Sequence, residues 1–360
     1  MSNYKRPIEY AKQSIETMMK KYKAQELPPK GRFHYHQGVF LSGVYKNYEL
    51  CKDEKYYEYV KDWVDSIIEE DGTINYHDVT QLDDIQPGIL LYPILDRTND
   101  ERYKKALDTC VDIVKNFNRN EVGGFWHKVR YPHQMWLDGL YMGGPICAEY
   151  GKRFNVPEFI DLVVEQVLLM EKYTKDEETG LWYHAWDCSK QIEWADPVTG
   201  KSPEFWGRSI GWVPVAILDD LDFIDSDHPQ YEALCDSVRN LMEAVVKFQA
   251  ESGLWYQVVD KLEGEGNWLE TSCSCLFAAA IAKGVRKGII SKDYLDYAKK
   301  AFNGIIDSLE FDGDDLVVNN VCVGTGVGDY EHYINRPTSE NDLHGVGAFL
   351  LMCAEMEQVI

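Results

Sequence analysis

The sequence predicts an all-α protein folded as an (α/α)6 barrel, in which six inner helices are ringed by six outer helices. Two regularities predict this fold. Apolar residues recur at helical spacing along most of the 360 residues, and a turn made of glycine followed by alternating apolar and polar residues recurs six times. Each copy takes about 60 residues, which is the size of one helical hairpin with its loops.

The helices alternate in character along the chain. Those before each turn are amphipathic and charged, as in the segment that carries Leu234, Val238, Leu241 and Val245 on one face. Those after each turn are apolar almost all round and rich in small residues, as in residues 271–282. Because all-apolar helices are buried and amphipathic helices face solvent on one side, we expect the second kind inside the ring and the first kind outside it.

The repeated turns predict where a functional site lies. They begin at Gly31, Gly72, Gly123, Gly180, Gly253 and Gly313, the first and last being the loosest copies. In such a barrel the turns that lead into the inner helices line one mouth, so ring-bearing loops are expected around a single cavity. No Pro-, Gly- or Ser-rich linker divides the chain, and residues 1–360 are therefore predicted to form one closed domain.

Bulk composition argues against several classes of partner. The formal net charge of −23 disfavours nucleic acid and anionic membranes, because both require a basic surface. No apolar run approaches the roughly 18 residues that a membrane span needs, and the first residues lead into a polar helix rather than a secretory segment. The nine cysteines lack disulfide-framework spacing, so a reducing cytoplasm is the expected compartment.

The stretch richest in chemistry comprises Gly123–Lys128 and the following His133–Met142. One acid, Asp138, lies there among rings at the entrance of an apolar helix. Such an acid loses hydration unless it is used or paired, which makes Asp138 the first candidate for catalysis; capping of the helix is the alternative. Asp83 and Asp84 are the other candidate acids, and a capping role is equally open for Asp84.

Aromatic and basic residues accompany these acids. The candidate rings are Tyr35, Trp136, Trp182, Trp206 and Trp212, and the candidate bases are His127, Lys128, His184, Arg208 and His344. Flat aromatic faces with scattered hydrogen-bonding groups suit sugar rings, and paired carboxylates suit general acid/base work on them. The residues therefore predict a carbohydrate ligand.

Neither a metal nor a cofactor is expected. His34, His36, His127 and His133 are candidate ligands, but no His-x3-His or Cys-x2-Cys pair accompanies them. The sequence also lacks a phosphate-binding glycine loop and a Gly-x-Ser-x-Gly motif.

Several motifs are shared with one known family. The longest is Gln134-Met135-Trp136-Leu137-Asp138-Gly139-Leu140-Tyr141-Met142-Gly143-Gly144-Pro145. Further motifs lie at residues 34–40, 82–86, 123–128, 183–187, 202–212, 267–270, 322–325 and 341–345. On these motifs the chain resembles the unsaturated rhamnogalacturonyl hydrolases of glycoside hydrolase family 105, relatives of the unsaturated glucuronyl hydrolases of family 88.

The resemblance implies the (α/α)6 barrel and the removal of a 4,5-unsaturated uronic acid from the non-reducing end of oligosaccharides left by polysaccharide lyases. It implies that Asp138 is the general acid/base and Asp83 its essential partner. It further implies a sugar site lined by Tyr35, His127, Lys128, Trp136, His184, Trp206, Arg208, Trp212 and His344. Like-charge repulsion from Asp83 is expected to keep Asp138 protonated. Arg208, Lys128 or a protonated histidine is expected to pair with the uronate carboxylate.

Other functions stay open on the residues. A sugar epimerase of the N-acylglucosamine 2-epimerase type would share the barrel and work with histidines, and a non-catalytic carbohydrate-binding protein would share the ring-lined cavity. Rhamnose is the expected sugar after the unsaturated uronate, with galacturonate, glucuronate or an acetylhexosamine as alternatives. The aromatic loops could also be covered in a homodimer.

Overall fold

Six helices form a closed inner ring in the computed structural model, which describes residues 4–360. They are α2 (Tyr35–Cys51), α4 (Leu91–Thr98), α6 (Asp138–Arg153), α8 (Gly207–Asp220), α10 (Thr271–Arg286) and α13 (Leu343–Met356). Around the ring, α6 packs on α8, α8 on α10, α10 on α13, and α13 on α2. Between α2 and α6 the ring is completed by the 3-10 segment Gln86–Leu90, which runs directly into α4.

Six further helices surround this ring. They are α1 (Pro7–Lys21), α3 (Glu54–Asp65), α5 (Glu101–Lys115), α7 (Pro157–Thr174), α9 (Tyr231–Val246) and α11 (Leu295–Ser308), and a short helix, α12 (Tyr330–Ile334), lies in the last loop. Every residue of α13 is buried, whereas α11 buries only the face formed by Ala298, Ala301, Phe302, Ile305 and Ile306. The predicted (α/α)6 barrel, with apolar helices inside and amphipathic helices outside, is therefore confirmed.

The six repeated glycines share one backbone conformation. Gly31, Gly72, Gly123, Gly180, Gly253 and Gly313 have φ values between 62° and 95°. A side chain at such φ values is strained, so glycine is the residue that these turns require. The structure thereby confirms that the turns are equivalent.

Short antiparallel strands connect the helices at the mouth of the barrel. β1 (Gln134–Trp136) pairs with β2 (Ala185–Asp187), β3 (Trp255–Tyr256) with β4 (Leu269–Glu270), β5 (Glu310–Asp312) with β6 (Asp315–Val317), and β7 (Val321–Cys322) with β8 (Thr338–Ser339). The register places Trp136 opposite Ala185. Because β1 ends just before α6, this pairing fixes where an inner helix begins.

The cysteines of the described residues form no disulfide bonds. All nine cysteines are free thiols. Within residues 4–360, no helix combines the length and the apolar character that crossing a membrane requires.

Candidate active site

A cavity of about 290 Å³ opens at the end of the barrel where the inner helices begin. Its wall is formed by His34, Tyr35, His36, Asp83, His127, Lys128, Arg130, Tyr131, Trp136, Asp138, Met142, Trp206, Arg208, Gly324, Thr325, Gly326 and Arg336. Tyr35 and Asp138 are the first residues of α2 and α6, and Arg208 is the second residue of α8. The predicted single ring-lined cavity at one mouth is present, and most of the predicted site residues line it.

Asp138 contacts a histidine from the neighbouring strand. The backbone N–H of Leu137 donates to the carbonyl of His184 over 3.0 Å, continuing the pairing of β1 and β2. Asp138 Oδ2 then lies 3.2 Å from His184 Nε2, and His184 Nδ1 lies 2.7 Å from the hydroxyl of Tyr333. Asp138 is the first residue inside α6 rather than its capping residue, and its carboxyl group contacts His184 instead of capping the helix.

The charge state of Asp138 follows from these contacts. Burial raises its pKa, but the hydrogen bond to His184 and the positive charges of the site act against burial, and the net shift is downward. Burial also lowers the pKa of His184, which keeps its imidazole neutral. In the unliganded protein Asp138 is therefore a carboxylate beside a neutral histidine.

Asp83 is held by two cationic or protonatable groups. It lies in the 3-10 turn Leu82–Asp84, which is joined to the next repeat because the N–H of Leu82 donates to the carbonyl of His127. Its carboxylate lies 3.1 Å from His127 Nε2 and forms an ion pair with Lys128. Burial raises the pKa of Asp83, but His127 and Lys128 outweigh burial and hold it well below the usual range. Asp83 is therefore ionised.

The adjacent Asp84 behaves in the opposite way. It is completely buried and accepts hydrogen bonds of 3.0 Å from the N–H of Asp78 and from Gln81 Nε2. Burial, followed in smaller part by the charge of Asp83, raises the pKa of Asp84 to about 7. Both hydrogen bonds join Asp84 to residues of its own loop, so its carboxyl group does not cap a helix. Like-charge repulsion from Asp83 thus acts on Asp84, and the expectation that it keeps Asp138 protonated is wrong for the unliganded protein.

Two tryptophans lie in the wall of the cavity. Trp136 stacks on His127 with ring centroids 4.6 Å apart, and on its outer side Tyr131 stacks at 5.2 Å. Trp206 lies with its ring centroid 4.7 Å from that of His184, and its Nε1 donates to Gln257 Oε1 over 3.1 Å. These contacts hold both indoles rigidly in the wall of the cavity.

Arg208 lies in the wall of the cavity and binds the backbone of a neighbouring loop. Its Nη1 donates to the carbonyl of Cys322 over 2.6 Å, and its Nη2 donates to the carbonyl of Val323 over 3.0 Å. Nη1 also lies 3.8 Å from a carboxylate oxygen of Glu270. Two nitrogens of the guanidinium group are therefore used to position the loop that carries Cys322 and Val323.

Four predicted residues do not line the cavity, and one of them, His184, is fully buried and reaches the site only through its contact with Asp138. Trp212 lies on α8 more than one turn below the mouth, where it stacks on Tyr141 with centroids 4.6 Å apart. Trp182 is buried in the core. His344 is fully buried behind His36, and its Nε2 lies 3.1 Å from the carbonyl of Cys322. Their burial, which sequence alone does not reveal, corrects the expected placement of Trp182, Trp212 and His344 in the sugar site.

One group of side chains could hold a metal ion. The ligand atoms of His36, Asp342 and His344 lie within 4.8 Å of one another. The closest pair is His344 Nδ1 and Asp342 Oδ1, at 2.8 Å. Among the candidate ligands named from sequence, His127 is paired with Asp83, and His133 lies beside Cys188 Sγ at 3.7 Å. The absence of a metal stays a prediction.

Sequence reasoning missed part of the wall. Arg130 and Tyr131 lie in the four-residue interval between the two halves of the motif-rich stretch, where the alternation of aromatic and basic residues was a usable signal. Met142 is one helical turn beyond Asp138, so helical spacing could have found it. Arg336 comes from the last loop and carries no local signal.

Comparison with known proteins identifies the family. The model of Glycosyl Hydrolase Family 88 matches residues 10–360. The chain belongs to this family. It is therefore a glycoside hydrolase, and the catalytic machinery of a family 88 enzyme is to be sought in the cavity described above.

Solved structures and curated relatives agree with this assignment. A glycoside hydrolase of family 105 from C. acetobutylicum ATCC 824 is 35% identical, with a TM-score of 0.92 over 97% of this chain and 99% of its own. The unsaturated rhamnogalacturonyl hydrolase YesR of Bacillus subtilis (strain 168) is 29% identical over 81% of this chain and 79% of its own. The unsaturated glucuronyl hydrolase of Bacillus sp. GL1 is 15% identical, with a TM-score of 0.72 over 97% of this chain and 95% of its own, and shares the fold.

Proposed function

We propose that this family 88 hydrolase removes a 4,5-unsaturated uronic acid from the non-reducing end of oligosaccharides produced by polysaccharide lyases. The observation that carries the proposal is the contact between Asp138 and His184 inside a cavity walled by Trp136 and Trp206. The names of two relatives, an unsaturated rhamnogalacturonyl hydrolase and an unsaturated glucuronyl hydrolase, support the same reaction.

The reaction uses one carboxyl group twice. Protonated Asp138 gives its proton to C4 of the enol ether, and the C4=C5 electron pair forms the new C–H bond. The resulting cation is shared between C5 and the ring oxygen. Asp138, now ionised, takes a proton from water while the water oxygen adds to C5. The hemiketal that results opens and releases the remaining sugar, so one water is consumed in each turnover.

Asp138 must gain a proton before this reaction starts. In the unliganded protein it is ionised, because His184 and the surrounding positive charges lower its pKa. A bound substrate brings its own carboxylate and displaces water, and both changes raise the pKa of a neighbouring carboxyl group. We infer that substrate binding raises the pKa of Asp138, so that its carboxyl group becomes protonated in the complex.

The remaining residues bind and orient the substrate in this proposal. Trp136 and Trp206 supply the apolar part of the wall against which the sugar ring packs. Ionised Asp83 holds the side chains of His127 and Lys128 against the ring walls. The free N–H groups of Arg208 face the uronate carboxylate.

We propose rhamnose as the sugar that follows the uronate, on the strength of the rhamnogalacturonyl hydrolase relative. A cytoplasmic location and a homodimer remain proposals, as does the lack of nucleic-acid and membrane partners that the net charge of −23 favours.

Asp138→Asn tests the proposed function. The amide has the same shape but cannot donate the catalytic proton, so we expect hydrolysis to fall by about 10³-fold or more. The measurement is the loss of the enol-ether ultraviolet absorbance with a panel of lyase-generated disaccharides. Asp112→Asn, on the solvent-facing side of α5, is the matched control and should keep full activity.

Two outcomes would contradict the proposal. Full hydrolysis by Asp138→Asn would remove the role of this carboxyl group. A wild-type protein that binds unsaturated disaccharides without consuming the double bond would instead be a carbohydrate-binding protein.

A further inference from the structure

Two arginines of the cavity wall have no acidic partner. Within residues 4–360, neither Arg130 nor Arg336 lies within 4.0 Å of a carboxylate oxygen. The other two permanent cations of the wall each have an acidic neighbour, because Lys128 pairs with Asp83 and Arg208 Nη1 lies 3.8 Å from a carboxylate oxygen of Glu270. Arg130 and Arg336 are therefore the arginines of the wall whose positive charge no carboxylate of the described residues neutralises.

Arg130 lies at the outer end of a stacked column. His127, which contacts Asp83, stacks on Trp136, and Trp136 stacks on Tyr131. The guanidinium carbon of Arg130 lies 4.8 Å from the ring centroid of Tyr131. Arg130 is thus two stacking steps beyond the tryptophan that walls the reacting sugar, and it is exposed to solvent.

Arg336 reaches the same cavity from the last loop. Its Nη2 donates to the carbonyl of Gly324, whereas its Nε is buried without a hydrogen-bond acceptor among the described residues. The loop that it holds lies against the reacting end of the cavity, since the position of a Cβ on Gly326 is 3.8 Å from the indole of Trp136. A buried N–H without an acceptor is costly, so a ligand acceptor there would be favoured.

The uronate carboxylate itself has a nearer candidate. The reacting C4 must meet Asp138, and Arg208 is an arginine whose positive charge lowers the pKa of Asp138. Arg130 and Arg336 are then left for a different negative group. In a protein with a net charge of −23, an acidic oligosaccharide needs such a local positive region at the mouth.

We propose that Arg130 and Arg336 form a subsite for a second anionic group, a carboxylate or a sulfate ester, on the part of the oligosaccharide beyond the unsaturated uronate. This inference rests on the proposed function. It names the substrate class as oligosaccharides that carry an acid on both sides of the scissile bond.

The test compares substrates that differ only in this second group. Three lyase products are used, in which the unsaturated uronate is followed by a neutral portion, by a portion bearing a carboxylate, or by a portion bearing a sulfate ester. For Arg130→Gln and Arg336→Gln we expect KM for an acidic substrate to rise about tenfold with little change in kcat, because each loses one charge-assisted contact. The loss for the neutral substrate should be smaller than the loss for the acidic substrates, because only the acidic substrates lose a charge-assisted contact.

Charge-preserving and remote variants complete the design. Arg130→Lys and Arg336→Lys should recover most of the affinity for the acidic substrate, which a merely structural role would not produce. Arg239→Gln, on the outer helix α9, is the matched control and should leave all three substrates unchanged. Comparison of the KM values for the carboxylate-bearing and sulfate-bearing substrates shows which anion the subsite binds.

The outcomes separate the two proposals. Equal losses on neutral and acidic substrates, or no loss on either acidic substrate, would overturn the anion subsite while the proposed hydrolysis stands. Failure of the wild-type enzyme to consume the double bond of any substrate would overturn the proposed function itself.

Discussion

Asp83 and Asp84 are neighbours in the chain, yet the protein moves their pKa values in opposite directions. Asp83 contacts His127 and Lys128, whereas Asp84 is fully buried, accepts hydrogen bonds from neutral groups, and has Arg32 Nη2 no nearer than 3.5 Å. The sequence predicted both acids and Asp138 as candidates. It could not predict which acid carries a proton, because this depends on which side chains from other repeats surround each carboxyl group.

His184 sets the proton affinity of Asp138, and this predicts a shift in the pH profile. The hydrogen bond from His184 lowers the pKa of Asp138, so His184→Ala should raise it. Because hydrolysis requires protonated Asp138, the fall of kcat/KM at high pH should move upward by about one pH unit. The pH profile of His228→Ala, a half-buried histidine outside the cavity, should stay unchanged. An unchanged high-pH limb in His184→Ala would contradict the assigned contact.

Burial of Asp84 predicts a pH-dependent stability difference. Its pKa is raised from 3.8 to about 7 in the folded protein, so the folded state binds the proton more tightly than the unfolded state. The stabilisation is present at low pH and is lost as the pH rises from about 4 to about 7. Relative to Asp84→Asn, the wild type should lose about 2–4 kcal/mol of unfolding free energy over this window. Urea titrations at several pH values measure this difference, and parallel curves would contradict it.

At the level of helices, the residues that face the substrate lie where inner helices begin. Tyr35 and Asp138 start α2 and α6, so the packing of the ring positions the site. Hydrophobic periodicity predicted these helices well because their burial differs so clearly from that of the outer ones. The strands of two or three residues were not predicted, since alternation over so short a span is not distinguishable from a turn.

Close packing of α13 on α2 predicts a strong effect of one methyl group. A Cβ at Gly347 would lie 2.6 Å from the backbone carbon of Val39. Gly347→Ala should therefore destabilise the protein by about 2–4 kcal/mol, because backbone cannot move aside cheaply. Gly143 on α6 is the control, since its Cβ would meet Val114 at 3.8 Å. Gly143→Ala should be neutral or stabilising by up to about 1 kcal/mol in urea denaturation. Equal stability of the two variants would contradict the packing.

On the scale of the whole molecule, the last inner helix closes the ring onto the first. Asn47 of α2 donates from its buried amide to the carbonyl of Leu350 in α13 over 2.9 Å. The sixfold turn repeat predicted the ring from sequence. The contribution of Arg336 to the cavity could not be predicted, because ring closure alone brings this loop beside residues about 200 positions earlier.

Ring closure predicts that the chain unfolds as the single domain proposed from the sequence. A chain that stops before α13 leaves the apolar faces of α2 and α10 uncovered and should show no cooperative unfolding transition. A chain that stops after Met356 loses the pairing of Glu357 with Arg6 but keeps α13, and it should unfold cooperatively. Differential scanning calorimetry distinguishes the two. A sharp transition in the shorter chain would mean that the hairpins fold in smaller units.

The division between helix ends and loops also bears on how such enzymes diversify. Asp138 lies on the ring of inner helices, whereas Arg130 and Arg336 lie on connecting loops. Mutations in those loops are therefore tolerated by the fold while they alter what enters the mouth. A lineage that inherits this scaffold can adapt to a new carbon source by exchanging a few residues at the mouth of the cavity, while the catalytic residues stay unchanged.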